Sequence, residues 1–179
     1  MAGIEQEQAM EKPEQKQGYS LLAKGLHWGF VLLFAYGIFK QVDDLNQLAD
    51  SALFRFEMGF ALVFLLVVLL RYLYMSRTQE TALPADTPRW QKIAARTVHL
   101  GLYASLAGIA LSGLLIGGLY WLGLRDGILI EAVVELHGAL VSLSYWLIGL
   151  HIAGALFHRL RRDGVWSAMV PVWKEKAER

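Results

Sequence analysis

The chain has 179 residues, of which 55% are hydrophobic, and its formal net charge is +1 at pH 7. It contains no cysteine, which excludes structural disulfides, thiolate-bound clusters and the covalent haem attachment of c-type cytochromes. The near-zero charge gives no indication of a nucleic-acid partner.

The apolar residues are concentrated in four stretches, each as long as the roughly 20 residues that a helix needs to cross a bilayer. We predict membrane spans over residues 21–42, 52–75, 94–122 and 129–160. Residues 1–18 form a polar N-terminal segment rich in Glu, Gln and Lys. Residues 163–179 form an amphipathic, charged C-terminal tail that we expect at the membrane surface. The predicted fold is all-α, with residues 19–162 forming an integral membrane four-helix bundle.

The distribution of Lys and Arg predicts the orientation of this bundle. Fourteen of the 17 basic residues lie in the N-terminal segment, around the loop between spans two and three, or around the C-terminal tail. Only Lys40, Arg55 and Arg125 lie on the opposite side. Because cytoplasmic loops of membrane proteins are enriched in Lys and Arg, we expect both termini in the cytoplasm.

Five histidines fall within or at the ends of the predicted spans. His27 and His99 lie near the starts of spans one and three, and His137, His151 and His158 lie on span four. On a helix, the 14 residues from His137 to His151 correspond to about 21 Å along one face, and His158 follows about 10 Å further on. The predicted topology places His137 in the outer half and the other four in the cytoplasmic half. Imidazole is a common metal ligand and a poor lipid-facing group, so we expect this face to point into the bundle.

Several uses of these imidazoles are compatible with the sequence. His27 and His151 lie at similar depths on different spans, where they could serve as the two axial ligands of one haem iron. Alternatively, the histidines are buried polar groups that bond other side chains or relay protons. A zinc site is disfavoured, because His158 should lie about 10 Å from His151 and zinc ligands must converge on one point.

Motifs in all four spans resemble one known family. They are Leu26-His27-Trp28, the run from Val67 to Arg71, Val98-His99-Leu100-Gly101, and the set His137, Gly149-Leu150-His151 and His158. These residues resemble the bacterial cytochrome b561 family, four-helix membrane haem-b proteins that include superoxide oxidase. The resemblance covers roughly residues 18–165 and implies a multi-pass protein of the bacterial inner membrane.

The resemblance also implies where haem b would bind. In that family two b haems stack across the membrane, and the cytoplasmic haem would here be held by His27 and His151. The outer haem is held by a second-helix histidine and the first fourth-helix histidine, which is His137 here. The second-helix position is occupied by Glu57 in this chain.

With Glu57 at this position, the sequence does not decide whether a second haem binds, because a carboxylate is a harder ligand than imidazole and does not commonly hold a low-spin b haem. The outer haem is then absent, five-coordinate on His137, or bound through Glu57 or Met58. From the residues alone, we expect Glu57 to pair with Arg55 or to hydrogen-bond His137.

Family resemblance further implies exchange with a quinone, such as ubiquinone, on the cytoplasmic side. His99 and His158 match positions near that site and could hydrogen-bond a quinone carbonyl and pass protons. Arg71 could contact a quinone carbonyl or a haem propionate, or it could be an ordinary arginine that extends to the interface.

The favoured function is therefore a membrane b-type cytochrome that transfers electrons between haem b and the quinone pool, in contact with membrane lipid. The alternative is an accessory cytochrome or structural subunit of a larger respiratory or photosynthetic complex, with no catalysis of its own. A third interpretation is a haem-free protein with a proton path through Glu57, His137 and the inner histidines. Superoxide oxidation is disfavoured, because acidic residues outnumber basic ones in the outer loops.

Overall fold

The structure is a computed structural model that describes residues 18–42 and 44–175. Within this part of the chain every regular element is helical, as the sequence predicts. The α-helices are α1 (Leu21–Phe39), α2 (Ser51–Thr78), α3 (Arg89–Trp121), α4 (Ile128–Arg161) and α5 (Val165–Met169). A short 3₁₀ helix, Leu45–Ala49, connects α1 to α2. All but the last residue of the polar N-terminal segment lie outside the described residues.

The four long helices have the length and composition of membrane spans. Large apolar side chains cover their outer surfaces, including Leu32 (71% exposed), Leu66 (56%) and Leu150 (58%). A water-soluble bundle would bury such residues, whereas a bilayer solvates them. The chain is therefore a multi-pass membrane protein with a four-helix bundle.

The helix ends follow capping chemistry rather than hydropathy. Asp50 is the N-cap of α2, and its carboxylate accepts a hydrogen bond from the Ala52 N–H at 2.7 Å. α3 begins at Arg89, five residues before the predicted span, directly after Pro88, which cannot donate to a preceding turn. The apolar pattern thus marks the part of each helix that crosses the bilayer, while the helices of spans two to four continue into the polar flanks.

The interior of the bundle is centred on α1, α2 and α3. Phe30 from α1, Phe64 and Val68 from α2, and Leu106 and Ala110 from α3 form a buried cluster. The rings of Phe30 and Phe64 are 5.2 Å apart. Among the described residues, α1 packs on α2 and α2 packs on α3, and this cluster links the three helices.

Small residues on α3 allow α4 to approach closely. A Cβ atom on Gly101 would lie 3.2 Å from Leu147 Cδ1, and one on Gly108 would lie 2.9 Å from Leu140 Cδ1. Because no hydrophobic force drives helices together within lipid, such close packing is a main source of helix association there. α4 is therefore held mainly by α3.

The other side of α4 is much less closely packed. Among the described residues, α4 packs along α3 and α5 but makes few or no close backbone approaches to α1 or α2. We call the space that separates α4 from α1 and α2 the α4 groove. His27 and His151 face it near the end of the bundle where α1 begins and α4 ends, and Glu57 and His137 line it near the opposite end. We call these the inner and outer ends of the groove.

Part of the C-terminal tail folds against the bundle. Ala168 of α5 is buried, and the Trp28 indole N–H on α1 donates to the Met169 carbonyl at 3.3 Å. The first residues of the tail therefore cover the end of the bundle where α1 begins and α4 ends, and the position of the tail at the membrane surface stays a prediction.

Candidate functional site

Three imidazoles gather at the inner end of the α4 groove. The ring centres of His27 on α1 and His151 on α4 are 6.2 Å apart. The ring centre of His99 on α3 is 5.1 Å from that of His151. The similar depths predicted from helix spacing are thus realised as a compact cluster that draws on three helices.

Arg71 on α2 is hydrogen-bonded into this cluster. Its Nη2 lies 2.7 Å from His27 Nδ1, and its Nη1 donates to the Tyr103 hydroxyl at 2.9 Å. A guanidinium group can only donate, so His27 Nδ1 is the acceptor and its proton lies on Nε2. The Arg71 Nε is buried without a hydrogen-bond partner. The arginine therefore has spare donor capacity for an acidic or carbonyl ligand.

The chemistry of the cluster fits an axially ligated haem. Two imidazoles that share one metal ion through bonds of about 2 Å have ring centres about 6 Å apart, close to the spacing of His27 and His151. To bind iron through Nε2, His27 must carry its proton on Nδ1, so the hydrogen bond between Arg71 and Nδ1 must break. Its freed donors would suit a haem propionate. His99 would remain an unligated imidazole next to the site.

A metal held by protein side chains alone finds no support. Within the described ranges, no three His, Cys, Asp or Glu side chains converge on a point suited to a metal ion.

His158 lies in a separate polar cavity at the end of the bundle where α4 ends. Its Nδ1 donates to the Asp163 carboxylate at 2.7 Å, and both side chains are largely buried. The cavity has a volume of about 230 Å³ and is bounded by the α2–α3 loop, the start of α3 and the end of α4. His151 does not line it, so the structure separates the imidazole of His158 from the inner cluster.

The outer end of the α4 groove holds a larger, mostly apolar cavity of about 300 Å³. Side chains from α1 to α4 and from the 3₁₀ helix line it, and its polar groups include Glu57 and His137. His137 Nδ1 lies 2.9 Å from the Ser112 hydroxyl on α3. Met58 also lines the cavity and packs against Gly117, where any Cβ atom would collide with its thioether.

The expected partners of Glu57 are not observed. Within the described residues its Oε1 is buried without a hydrogen-bond partner, and it forms no ion pair with Arg55. Residues two apart on a helix point in different directions, which explains why Arg55 is not a partner. His137 is not a partner because its Nδ1 is bonded to Ser112.

Three polar residues next to the candidate ligands had not been singled out from the sequence. Ser112 and Tyr103 are 25 and 32 positions from the residues that they bond, so no local spacing connects them. Asp163 is only five positions after His158, directly beyond the end of α4, and this proximity could have identified it.

Comparison with known proteins agrees with this arrangement. A family model described as prokaryotic cytochrome b561 matches residues 18–172, which include all four spans and every candidate ligand. None of the curated proteins and none of the solved structures matches the chain. Because the match covers most of the sequence, the chain belongs to the prokaryotic cytochrome b561 family of membrane b-type cytochromes.

Proposed function

We propose that the protein holds haem b between His27 and His151 and exchanges electrons with a membrane quinone on the cytoplasmic side. The observation that carries this proposal is the pair of imidazoles facing each other across the α4 groove with ring centres 6.2 Å apart. Bound haem b would supply one-electron redox chemistry at this position. The residues of the chain set its geometry and manage the protons.

The open groove supports this use of the two histidines. Among the described residues, α1 packs on α2, α2 on α3 and α3 on α4, but α1 and α4 make few or no close backbone approaches to each other. The imidazoles of His27 and His151 therefore face each other across a gap that direct packing of α1 on α4 would fill. Each histidine is also fixed on a long helix rather than on a loop, which favours a defined ligand geometry. Arg71 contributes a positive charge beside the pair, where an acidic group of the cofactor could accept its hydrogen bonds.

Reduction of a quinone to a quinol consumes two electrons and two protons, so a quinone site needs groups that deliver protons. His99, next to His151, could donate to one quinone oxygen. The Asp163 carboxylate accepts a hydrogen bond from His158 Nδ1 and so fixes the ring, which leaves Nε2 free to relay a proton onward. We propose that this pair receives protons from the cytoplasm.

The proposed orientation agrees with this direction of proton uptake. Because the flanks are rich in Lys and Arg, we propose that both termini, α5 and the His158–Asp163 pair lie on the cytoplasmic side of an inner membrane. Cysteine-scanning with a membrane-impermeant thiol reagent would test it, since the native chain has no cysteine. Labelling of a cysteine at Ser167 only in inside-out vesicles would support the orientation, and labelling in right-side-out vesicles would contradict it.

The function itself is tested with the full chain purified in detergent. Haem reduced by dithionite should be reoxidised by a short-chain ubiquinone analogue, and reoxidation should slow when His99 is replaced by Phe. Haem that binds but never reacts with the quinone would favour the accessory-subunit alternative. Protein without any haem would contradict the proposal.

A further inference from the structure

The tautomer of His137 can be assigned from its partner. The Ser112 hydroxyl lies 2.7 Å from the Gly108 carbonyl oxygen and 3.1 Å from the Ile109 carbonyl oxygen. Carbonyl oxygens can only accept, so we assign the single hydroxyl proton to them and leave the oxygen as the acceptor for His137. Nδ1 of His137 then carries the ring proton, and Nε2 has a free lone pair. Metal-ligating histidines commonly have this arrangement, with the second ring nitrogen donating to a fixed acceptor.

The His137 ring lies beside Gly113 of α3. A Cβ atom on Gly113 would lie 3.5 Å from His137 Cε1, the ring atom between the two nitrogens, which is an ordinary van der Waals contact. This edge of the ring therefore packs next to the backbone of α3. His137 and Gly113 both line the outer cavity.

The second polar group of the cavity lies on a different helix. Glu57 is on α2, which makes few or no close backbone approaches to α4 in the described part of the chain. One of its carboxylate oxygens is buried and has no hydrogen-bond donor. A buried oxygen without a hydrogen-bond donor destabilises the folded protein. We therefore expect the cavity to hold a ligand that supplies a hydrogen-bond donor or a positive centre.

We propose that the outer cavity binds a second haem b with His137 as its one protein ligand, which leaves a coordination position open to a small exogenous ligand in the cavity that Glu57 also lines. The proposal deepens the proposed function, because it rests on the protein being a haem-b cytochrome, but it concerns different ligands. A haem with one imidazole ligand is open to small ligands. The Glu57 carboxyl group would then exchange a hydrogen bond or a proton with whatever binds there.

The first test compares haem content with coordination state in the full chain purified in detergent. Haem per polypeptide, measured as the pyridine haemochrome, should be close to two. Electron paramagnetic resonance of the oxidised protein should show one high-spin and one low-spin ferric haem. Carbon monoxide should bind about one haem per chain after reduction. A ratio of one, or two low-spin haems that bind no carbon monoxide, would overturn the proposal.

Variants then assign the open haem to its residues. Glu57→His should keep two haems, convert the high-spin signal to low-spin and abolish carbon monoxide binding. The matched control Glu57→Gln, which removes the charge without supplying an imidazole, should keep both signals. His137→Ala should lose the high-spin haem and retain the low-spin one. A rise from one haem to two in Glu57→His would show instead that the wild-type cavity holds no haem.

Met58 provides a further discrimination, because its thioether also lines the cavity. Met58→Leu should leave the high-spin signal and carbon monoxide binding unchanged. A low-spin outer haem that becomes high-spin in this variant would identify Met58 as a ligand and overturn the proposal. His27→Ala should lose the low-spin haem, and this result tests the inner site alone. A failure of the inner-site assignment can therefore be distinguished from a failure of the outer-site assignment.

Discussion

Replacing Ser112 with Ala would remove one hydrogen bond from the proposed outer ligand and change little else. Ser112 is 4% exposed, and its hydroxyl bonds both the backbone of its own helix and His137 Nδ1. A neutral hydrogen bond contributes about 0.5–1.5 kcal/mol, which is about 2- to 13-fold in affinity. Partners of metal-ligating histidines typically account for about 10–100-fold in metal affinity. We therefore expect the high-spin haem to dissociate about 10-fold faster.

The same helix offers a matched control for this substitution. Ser105 is 1% exposed and donates to the Leu102 carbonyl at 3.1 Å, but its side chain forms no bond with a histidine. Haem loss is measured as transfer to excess apomyoglobin, with the high-spin and low-spin bands followed separately. Ser112→Ala should accelerate loss of the high-spin haem only, and Ser105→Ala should accelerate neither. Equal effects of the two variants, or no effect of Ser112→Ala, would refute the assigned role of the hydroxyl.

Three further predictions concern the inner site, the cytoplasmic proton path and the bundle. In absorption spectra, His27→Ala should lose the low-spin haem and His99→Ala should retain it. Loss of the low-spin haem in both variants would make His99 a ligand. Asp163→Asn should slow quinone-dependent reoxidation several-fold without changing haem content, because an amide oxygen is a weaker acceptor than a carboxylate for the Nδ1–H that fixes the ring of His158; a stopped-flow rate equal to that of the wild type would contradict this. Gly108→Val should lower the midpoint of thermal unfolding in detergent, because its side chain meets a leucine of α4. Gly118→Ala, which faces open space, should leave that midpoint unchanged.

The four spans could be predicted because bilayer thickness imposes a minimum length on each apolar stretch. The exact helix ends could not, since Pro88 and Asp50 set them through capping and lie outside the apolar pattern. α5 has only five residues, and its place depends on contacts with Trp28 and the bundle rather than on its own composition. Short elements of this kind are fixed by tertiary contacts, which sequence periodicity does not reveal.

For the candidate site, helix geometry predicted depth better than it predicted partners. Counting residues along spans one and four suggested that His27 and His151 lie at one level, and their rings are 6.2 Å apart. Their role as haem ligands remains a prediction. The bond between His137 and Ser112 depends on how far each helix is rotated about its axis, which spacing within one helix does not determine. The same holds for the pairing of Glu57 with His137, which was not observed. Its pairing with Arg55, also not observed, could have been rejected from spacing, because residues two apart on a helix point in different directions.

The most direct test of the central claim is the ligand set of the inner haem. Oxidised wild-type protein and His151→Ala are compared by absorption and electron paramagnetic resonance spectroscopy, with Leu150→Ala, an exposed neighbour on the same helix, as the control. We expect the low-spin signal in the wild type and in Leu150→Ala, and its loss in His151→Ala. An unchanged six-coordinate spectrum in His151→Ala would show that haem b is not held between His27 and His151.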